Sequence, residues 1–210
     1  MSELTPRERR QQRTYDAILD AARTIITEKG INALSIRAIA AAIDYSPAGL
    51  YEYFGSKEEI LGALIEQGFQ LFTDTLERVD TTLPPEAYMI ELGMAYVKFA
   101  VQNPDFFLLM FTTYPLQPEF ALDKDCTPKD QIVDQPSFGV LYKGVQRCID
   151  EGVFIPSPSI GTFEMAYAAW TNVHGIAMLR ITTLKVFPLD YEQVDRMAIQ
   201  AMILGWKAMQ

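Results

Sequence analysis

Long apolar runs, paired cysteines, clustered histidines and an excess of positive charge are all missing from this chain, and each absence closes off a class of function. Hydrophobic residues make up 49% of the sequence, yet no stretch approaches the ~20 consecutive apolar residues a membrane span requires. The greasiest segment, Phe106 to Phe111, is far too short. Two cysteines, Cys126 and Cys148, lie apart without metal-ligand spacing and read as ordinary thiols in a reducing cytoplasm. The single histidine, His174, would have to carry any His-assisted nucleophile or multi-His metal centre alone. No GxSxG, P-loop or CxxC pattern accompanies it, so no catalytic residue, metal or cofactor is expected. The polar, Arg-rich stretch from Met1 to Arg13 has no apolar core of the kind a secretory signal carries, which also fits a cytoplasmic protein.

A net charge of -9 argues at first against nucleic acid as a partner, because a DNA-binding surface must neutralise phosphates. The charge is uneven, however. Residues 1–57 hold eight Lys and Arg against seven acids, while the rest of the chain holds ten against twenty. Such asymmetry suits a segment that faces phosphate attached to a body that does not.

What the sequence does have is helical periodicity from end to end. Tyr15, Ile18, Leu19, Ala22, Ile25 and Ile26 make one apolar face, with Thr14 expected to cap the start and Gly30 the end. Ser35 suits the N-cap of a short helix with Ile36, Ile39, Ala40 and Ile43 inside. Asp44-Tyr45 reads as a turn. Ser46-Pro47 then starts a third short helix, with Leu50 and Phe54 inward, and Gly55-Ser56 breaks it. A longer helix follows to about Val79. Further helices are expected at about 86–102, 104–113, 135–151, 160–185 and 190–208, with a long irregular connection between Tyr114 and Pro136. No period-2 strand pattern of useful length occurs. The predicted fold is all-α, about nine helices, divided into an N-terminal three-helix domain over 1–56, whose residues 1–12 form a flexible arm, and a larger helical domain over 57–210.

Three short helices within 40 residues, the last two joined by a tight turn, make a helix-turn-helix unit. Its third helix has a free outer face that can enter a major groove. Small residues at Ala48 and Gly49 allow close approach to base edges, the hydroxyls of Tyr51 and Tyr53 can reach phosphates, and Ser46 also faces outward. Ser35, Arg37 and Pro47 complete the predicted surface. Lys57 stands where its charge and the first amides of the next helix can share one phosphate. Arg7, Arg9, Arg10 and Arg13 read either as an arm following the backbone or as a solvated tail.

The run Ser35-Ile36-Arg37-Ala38-Ile39-Ala40, followed by Tyr45-Ser46-Pro47-Ala48-Gly49-Leu50-Tyr51-Glu52-Tyr53-Phe54-Gly55-Ser56-Lys57-Glu58, resembles the DNA-binding domain of the TetR family. Two positions depart from the family pattern: Asp44 stands where Gly is usual, and Tyr45 where Val is usual. Asp enters the left-handed region less easily than Gly, so the turn survives under some strain. More loosely, Asn103 to Phe111 and Ala169-Trp170-Thr171-Asn172-Val173-His174-Gly175 resemble the C-terminal domain of one TetR subgroup. The resemblance implies a helical regulatory domain with a ligand cavity, dimerisation through the last two helices, and a repressor that binds operator DNA.

For the cavity, the candidates are Phe99, Phe107, Met110, Phe111, Tyr114, Trp170, His174 and Met178, although each reads equally as plain core. A mainly apolar effector with one or two polar handles is expected. His174 reads as a structural group or as a polar contact in that cavity. Phe163, Tyr167, Val194, Ala198, Ala201, Met202 and Gly205 are the candidates for a homodimer of four packed helices, which would require a palindromic operator. The alternative is a helical small-molecule-binding or enzymatic protein whose helix-turn-helix is vestigial.

Overall fold

The computed structural model describes residues 5–113, 128–133 and 135–208. Their regular structure is helical, apart from one isolated bridge between Ser157 and Ile160. Ten α-helices run in order among them: α1 Pro6–Lys29, α2 Ile36–Ala42, α3 Pro47–Leu50, α4 Lys57–Glu77, α5 Pro85–Gln102, α6 Pro104–Leu108, α7 Pro128–Val133, α8 Pro136–Asp150, α9 Thr162–Ile181 and α10 Tyr191–Ala208. None of the described helices is long and apolar enough to cross a membrane.

Two compact units result, residues 1–68 and 69–210. The division falls inside α4 rather than at the expected 56/57. Its first turns bury Ile60, Leu61 and Leu64, which makes them core and not connection.

In the first unit, α1 begins earlier than periodicity suggests. Thr5 and Glu8 form a reciprocal capping box, with Pro6 in the first turn, so residues 6–12 are helix and not flexible arm. Thr14 therefore sits mid-helix, its hydroxyl donating to the Arg10 carbonyl at 3.2 Å. Ile18, Leu19, Ala22 and Ile25 bury the expected face. Gly30 ends the helix at φ 79°, a conformation that glycine adopts without steric penalty. Ile39, Ala40, Leu50 and Phe54 close the core, and the Phe54 ring stacks on Tyr15 at 4.9 Å.

In the second unit α5 is the central helix, packing against α6, α8, α9 and α10. Gly93 is what lets three of them meet. A Cβ there would lie 2.9 Å from Ile199 Cδ1 on α10 and 3.2 Å from Val173 Cγ1 on α9. The two last helices are tied by an ion pair between Arg180 and the buried Asp195, with the Arg180 guanidinium over the Tyr191 ring at 4.0 Å. Where one irregular connection was expected over 114–136, Pro128–Val133 is helical. Residues 114–127, with the candidate Tyr114 and with Cys126, lie outside the described residues. Cys148 is buried, and desolvation pushes its thiol up to about 12, so it stays protonated.

Candidate DNA-reading surface and effector site

Backbone chemistry builds the reading surface before any side chain acts. Ser35 Oγ accepts from the Ala38 amide at 3.1 Å and starts α2; Ser46 Oγ accepts from the Gly49 amide at 3.0 Å and starts α3. Between them Asp44 turns the chain at φ 53°, the left-handed conformation the tight turn needs. A third cap follows: Ser56 Oγ accepts from the Glu59 amide while Glu59 accepts from the Gly55 amide. These three serines fix where α2, α3 and α4 begin.

Leu50 and Phe54 hold α3 to the core, leaving Ser46, Pro47, Ala48 and Tyr51 exposed around it, with Tyr51 58% accessible, and Arg37 is exposed on α2. Ser35 is also exposed. Gly49 and Tyr53 are half-buried. The helix proper ends at Leu50, so Tyr51 and Tyr53 project from the turn that follows. Lys57 is half-buried and its ammonium donates to the Ile31 carbonyl at 3.4 Å, which ties the start of α4 to the turn that follows α1. An ammonium has three donors, so this bond leaves two for a phosphate beside the first-turn amides of α4. The arginines at 7, 9, 10 and 13 are exposed and helical, giving them fixed spacing along α1.

Tyr45 belongs to this surface although the sequence reading left it out. It is 40% exposed, and its ring lies edge-on to Tyr53, centroids 6.4 Å apart. The neighbouring Tyr53 phenol holds the Tyr45 phenol above its ordinary pKa. Beside α1, Glu8, Gln11, Gln12, Tyr15, Glu52 and Tyr53 line an open groove of about 320 Å³.

In the second unit the aromatic candidates divide. Phe107, Phe111, Trp170 and His174 converge: the His174 ring lies 5.3 Å from Phe107, 5.0 Å from Phe111 and 6.2 Å from Trp170. Phe99 is instead fully buried against Phe72. Met110 is buried and Met178 half-buried. The missed member is Tyr96, which α5 places at the centre. Trp170 Nε1 donates to the Tyr96 hydroxyl at 3.2 Å, and that hydroxyl lies 2.8 Å from His174 Nδ1. The tautomer of His174 sets which of the two gives the proton: with the ring proton on Nε2 the Tyr96 hydroxyl donates to Nδ1, and with it on Nδ1 the hydroxyl oxygen accepts. Burial lowers the His174 pKa and favours the neutral ring. No sequence spacing joins residues 96 and 174, so only the Tyr side chain in an apolar run could have hinted at it.

The dimer candidates also divide. Tyr167, Val194, Ala201 and Gly205 are exposed, Ala198 and Met202 half-buried, and Phe163 packs within its own unit against Phe138 and beneath Lys129. Leu179, Met197 and Leu204, which were not anticipated, extend the exposed apolar set to accessibilities of 50–60%.

Residues 18–64 match the family described as bacterial regulatory proteins, tetR family, and residues 89–202 match the tetracyclin repressor-like C-terminal domain. The uncharacterized HTH-type transcriptional regulator YobS of Bacillus subtilis (strain 168) is 29% identical over 94 residues, 45% of this chain and 49% of that protein. The chain thus spans about half the length of that relative. Among solved structures, a protein of unknown function from Rhodococcus sp. RHA1 superposes with a TM-score of 0.74 at 22% identity, over 91% of this chain and 94% of that one. The TetR family regulator PfmR from Thermus thermophilus superposes with a TM-score of 0.62 at 24% identity, over 89% and 96%.

Proposed function

The chain belongs to the tetR family of bacterial regulatory proteins, DNA-binding transcriptional regulators and not enzymes, and on that premise we propose that it is a dimeric one-component repressor. In this reading it holds a palindromic operator and releases it when a small, largely apolar effector enters the body. The observation that carries the reading is the capped α2–turn–α3 unit, whose outer face exposes Arg37, Ser46, Pro47, Ala48 and Tyr51 while Leu50 and Phe54 anchor its inner face.

Dimerisation through α9 and α10 is supported by their exposed apolar residues, Tyr167, Leu179, Val194, Met197 and Leu204. Gly175 and Gly205 support it too: a Cβ at either would meet nothing within 4 Å in its own chain. Within a helix, glycine is less favourable than alanine by about 1 kcal/mol, so open space at both positions suits the close approach of a second copy. A two-fold dimer presents two reading heads and calls for a pseudo-palindromic site.

For the effector, the cluster of Phe107, Phe111 and Trp170 supplies an apolar wall, and His174, held by Tyr96, supplies one polar handle. Helix α4 starts in the first unit and ends in the second, which makes it the natural lever between effector and operator. An effector that prefers the DNA-incompetent state by a few kcal/mol is sufficient for release.

The test is selection of bound fragments from sheared genomic DNA. A two-fold symmetric site held by two chains is expected, and it provides the fragment on which to screen for releasing compounds. Absence of enrichment at low salt would overturn the reading.

A further inference from the structure

Trp170, Tyr96 and His174 form the polar centre of the second unit, and their donors and acceptors can be counted one by one. The indole of Trp170 only donates, and its Nε1 gives its proton to the Tyr96 hydroxyl at 3.2 Å. That hydroxyl lies 2.8 Å from His174 Nδ1 and makes no other hydrogen bond among the described residues. Tyr96 is 6% exposed, so a hydroxyl proton without an acceptor would be costly there. With the ring proton on Nδ1, the phenol oxygen accepts twice and its own proton has no acceptor. With the ring proton on Nε2, the phenol donates to Nδ1 and every donor up to the ring is used. The second arrangement is therefore favoured, and it leaves His174 presenting Nε2–H.

The rings around His174 are those of Phe107, Phe111, Trp170 and Tyr96. Nε2 has no hydrogen-bond partner among the described residues, yet it is not one of the buried atoms left unpaired, so a small molecule can reach it. Phe111 comes to the ring on a π-helical stretch, Leu109–Thr113, a wide winding that is rare and recurs at functional sites. No charged side chain acts on the pair: burial alone moves the His174 pKa, and burial with the Trp170 bond moves that of Tyr96.

We propose that the effector carries an uncharged hydrogen-bond acceptor, a carbonyl group on an apolar body, which receives the Nε2 proton of His174, and that Tyr96 is the positioning residue that fixes the ring's tautomer. The inference rests on the effector reading and names the head group of its ligand. A carboxylate pairs best with a protonated ring, but protonation fills Nδ1, turns the Tyr96 bond round and leaves the phenol proton without an acceptor. An ammonium brings only donors to a donor. An apolar molecule without a head group leaves Nε2–H unmet.

The experiment uses the full chain, isotope-labelled at the histidine ring nitrogens; His174 is the sole histidine, so the signals need no assignment. Without ligand, the wild-type ring is expected to carry its proton on Nε2, and Tyr96→Phe to raise the share of the Nδ1 form. Probes with similar apolar bodies then compare head groups: benzylacetone, a ketone; hydrocinnamate, a carboxylate; phenylpropylamine, an ammonium at neutral pH; and butylbenzene, which has none. Benzylacetone is expected to shift the Nε2 signals and to bind several-fold to about tenfold more tightly than butylbenzene, the scale of one net hydrogen bond. Hydrocinnamate and phenylpropylamine are expected to bind more weakly than butylbenzene. A wild-type ring protonated on Nδ1, tightest binding of either charged probe, or equal affinity for benzylacetone and butylbenzene would overturn the proposal while leaving an effector site in place. An unchanged tautomer in Tyr96→Phe would overturn the positioning role. If none of the probes moves the His174 signals, the proposal falls together with the reading on which it rests. The head-group measurements are made on wild type, so they decide the matter even if the variant is unstable.

Discussion

In the reading head, the groups that set function are placed by neighbours in the chain: Ser35, Ser46 and Ser56 each cap an amide three residues on. In the body, the corresponding bonds join residues 74 and 78 positions apart, Trp170 and His174 to Tyr96. The head is thus an assembly of local rules held by a small core, whereas the body's polar centre exists only once α5 and α9 have packed. The difference bears on stability as well as on function. A local cap survives damage elsewhere, but a long-range triad does not.

Four substitutions test whether head and body respond separately. The largest effect is expected from Phe107→Ala, which empties a fully buried site beside Tyr96, Phe111 and His174. It should lower stability by about 3–5 kcal/mol. Hydrogen exchange should place the loss in residues 69–210, with the amides of α1 and α2 retaining their protection. Leu50→Ala makes the reciprocal test: a fully buried leucine holding α3 should lose about 2–5 kcal/mol, with exchange rising first in residues 6–64 and DNA binding falling with it. If both variants loosen both units equally, the two-unit comparison fails.

Thr5→Ala removes one half of a capping box and should loosen the first turns of α1 by about 1 kcal/mol, read as faster exchange over residues 6–13. The arginines there would then lose their helical spacing. The smallest effect concerns acid. His174 is the sole histidine, and burial holds its pKa below the ordinary value. The unfolded chain therefore takes up this proton more readily than the fold does. The stability the group contributes is complete above about pH 6.5, the ordinary histidine value, and is lost as pH falls below it. Melting of the body should weaken from about pH 7 to about pH 5.5, and His174→Asn should flatten that slope. The head, having no histidine, should show no such dependence.

Much of the head was legible in the sequence because its determinants are local. Ser46-Pro47 marks the start of α3, and the inward pair Leu50 and Phe54 follows from helical spacing. The start of α1 was misplaced because Thr14 satisfies the same cap preference as Thr5; only the reciprocal Glu8 distinguishes them, and that signal lies in a charged stretch easily read as tail. Tyr45 was missed as a surface residue since a tyrosine in a turn gives no sign of which way its ring lies. In the body, periodicity identified α5, α9 and α10 but could not choose among their aromatics. Phe99 and Phe107 look alike in sequence, and only packing sends one to Phe72 and the other to His174. Helix α7 escaped notice because six residues beginning at a proline are too few to show a period.

The most direct test of the central claim, that the surface spanning residues 35–57 grips operator DNA, is a salt titration of affinity on the selected fragment for wild type, Tyr51→Phe and Lys57→Ala. The account predicts that log affinity falls linearly with log salt, that Lys57→Ala weakens binding and reduces the slope by about one, and that Tyr51→Phe weakens binding with the slope intact. Affinities equal to wild type in both variants, or a slope near zero in the wild-type chain, would contradict it.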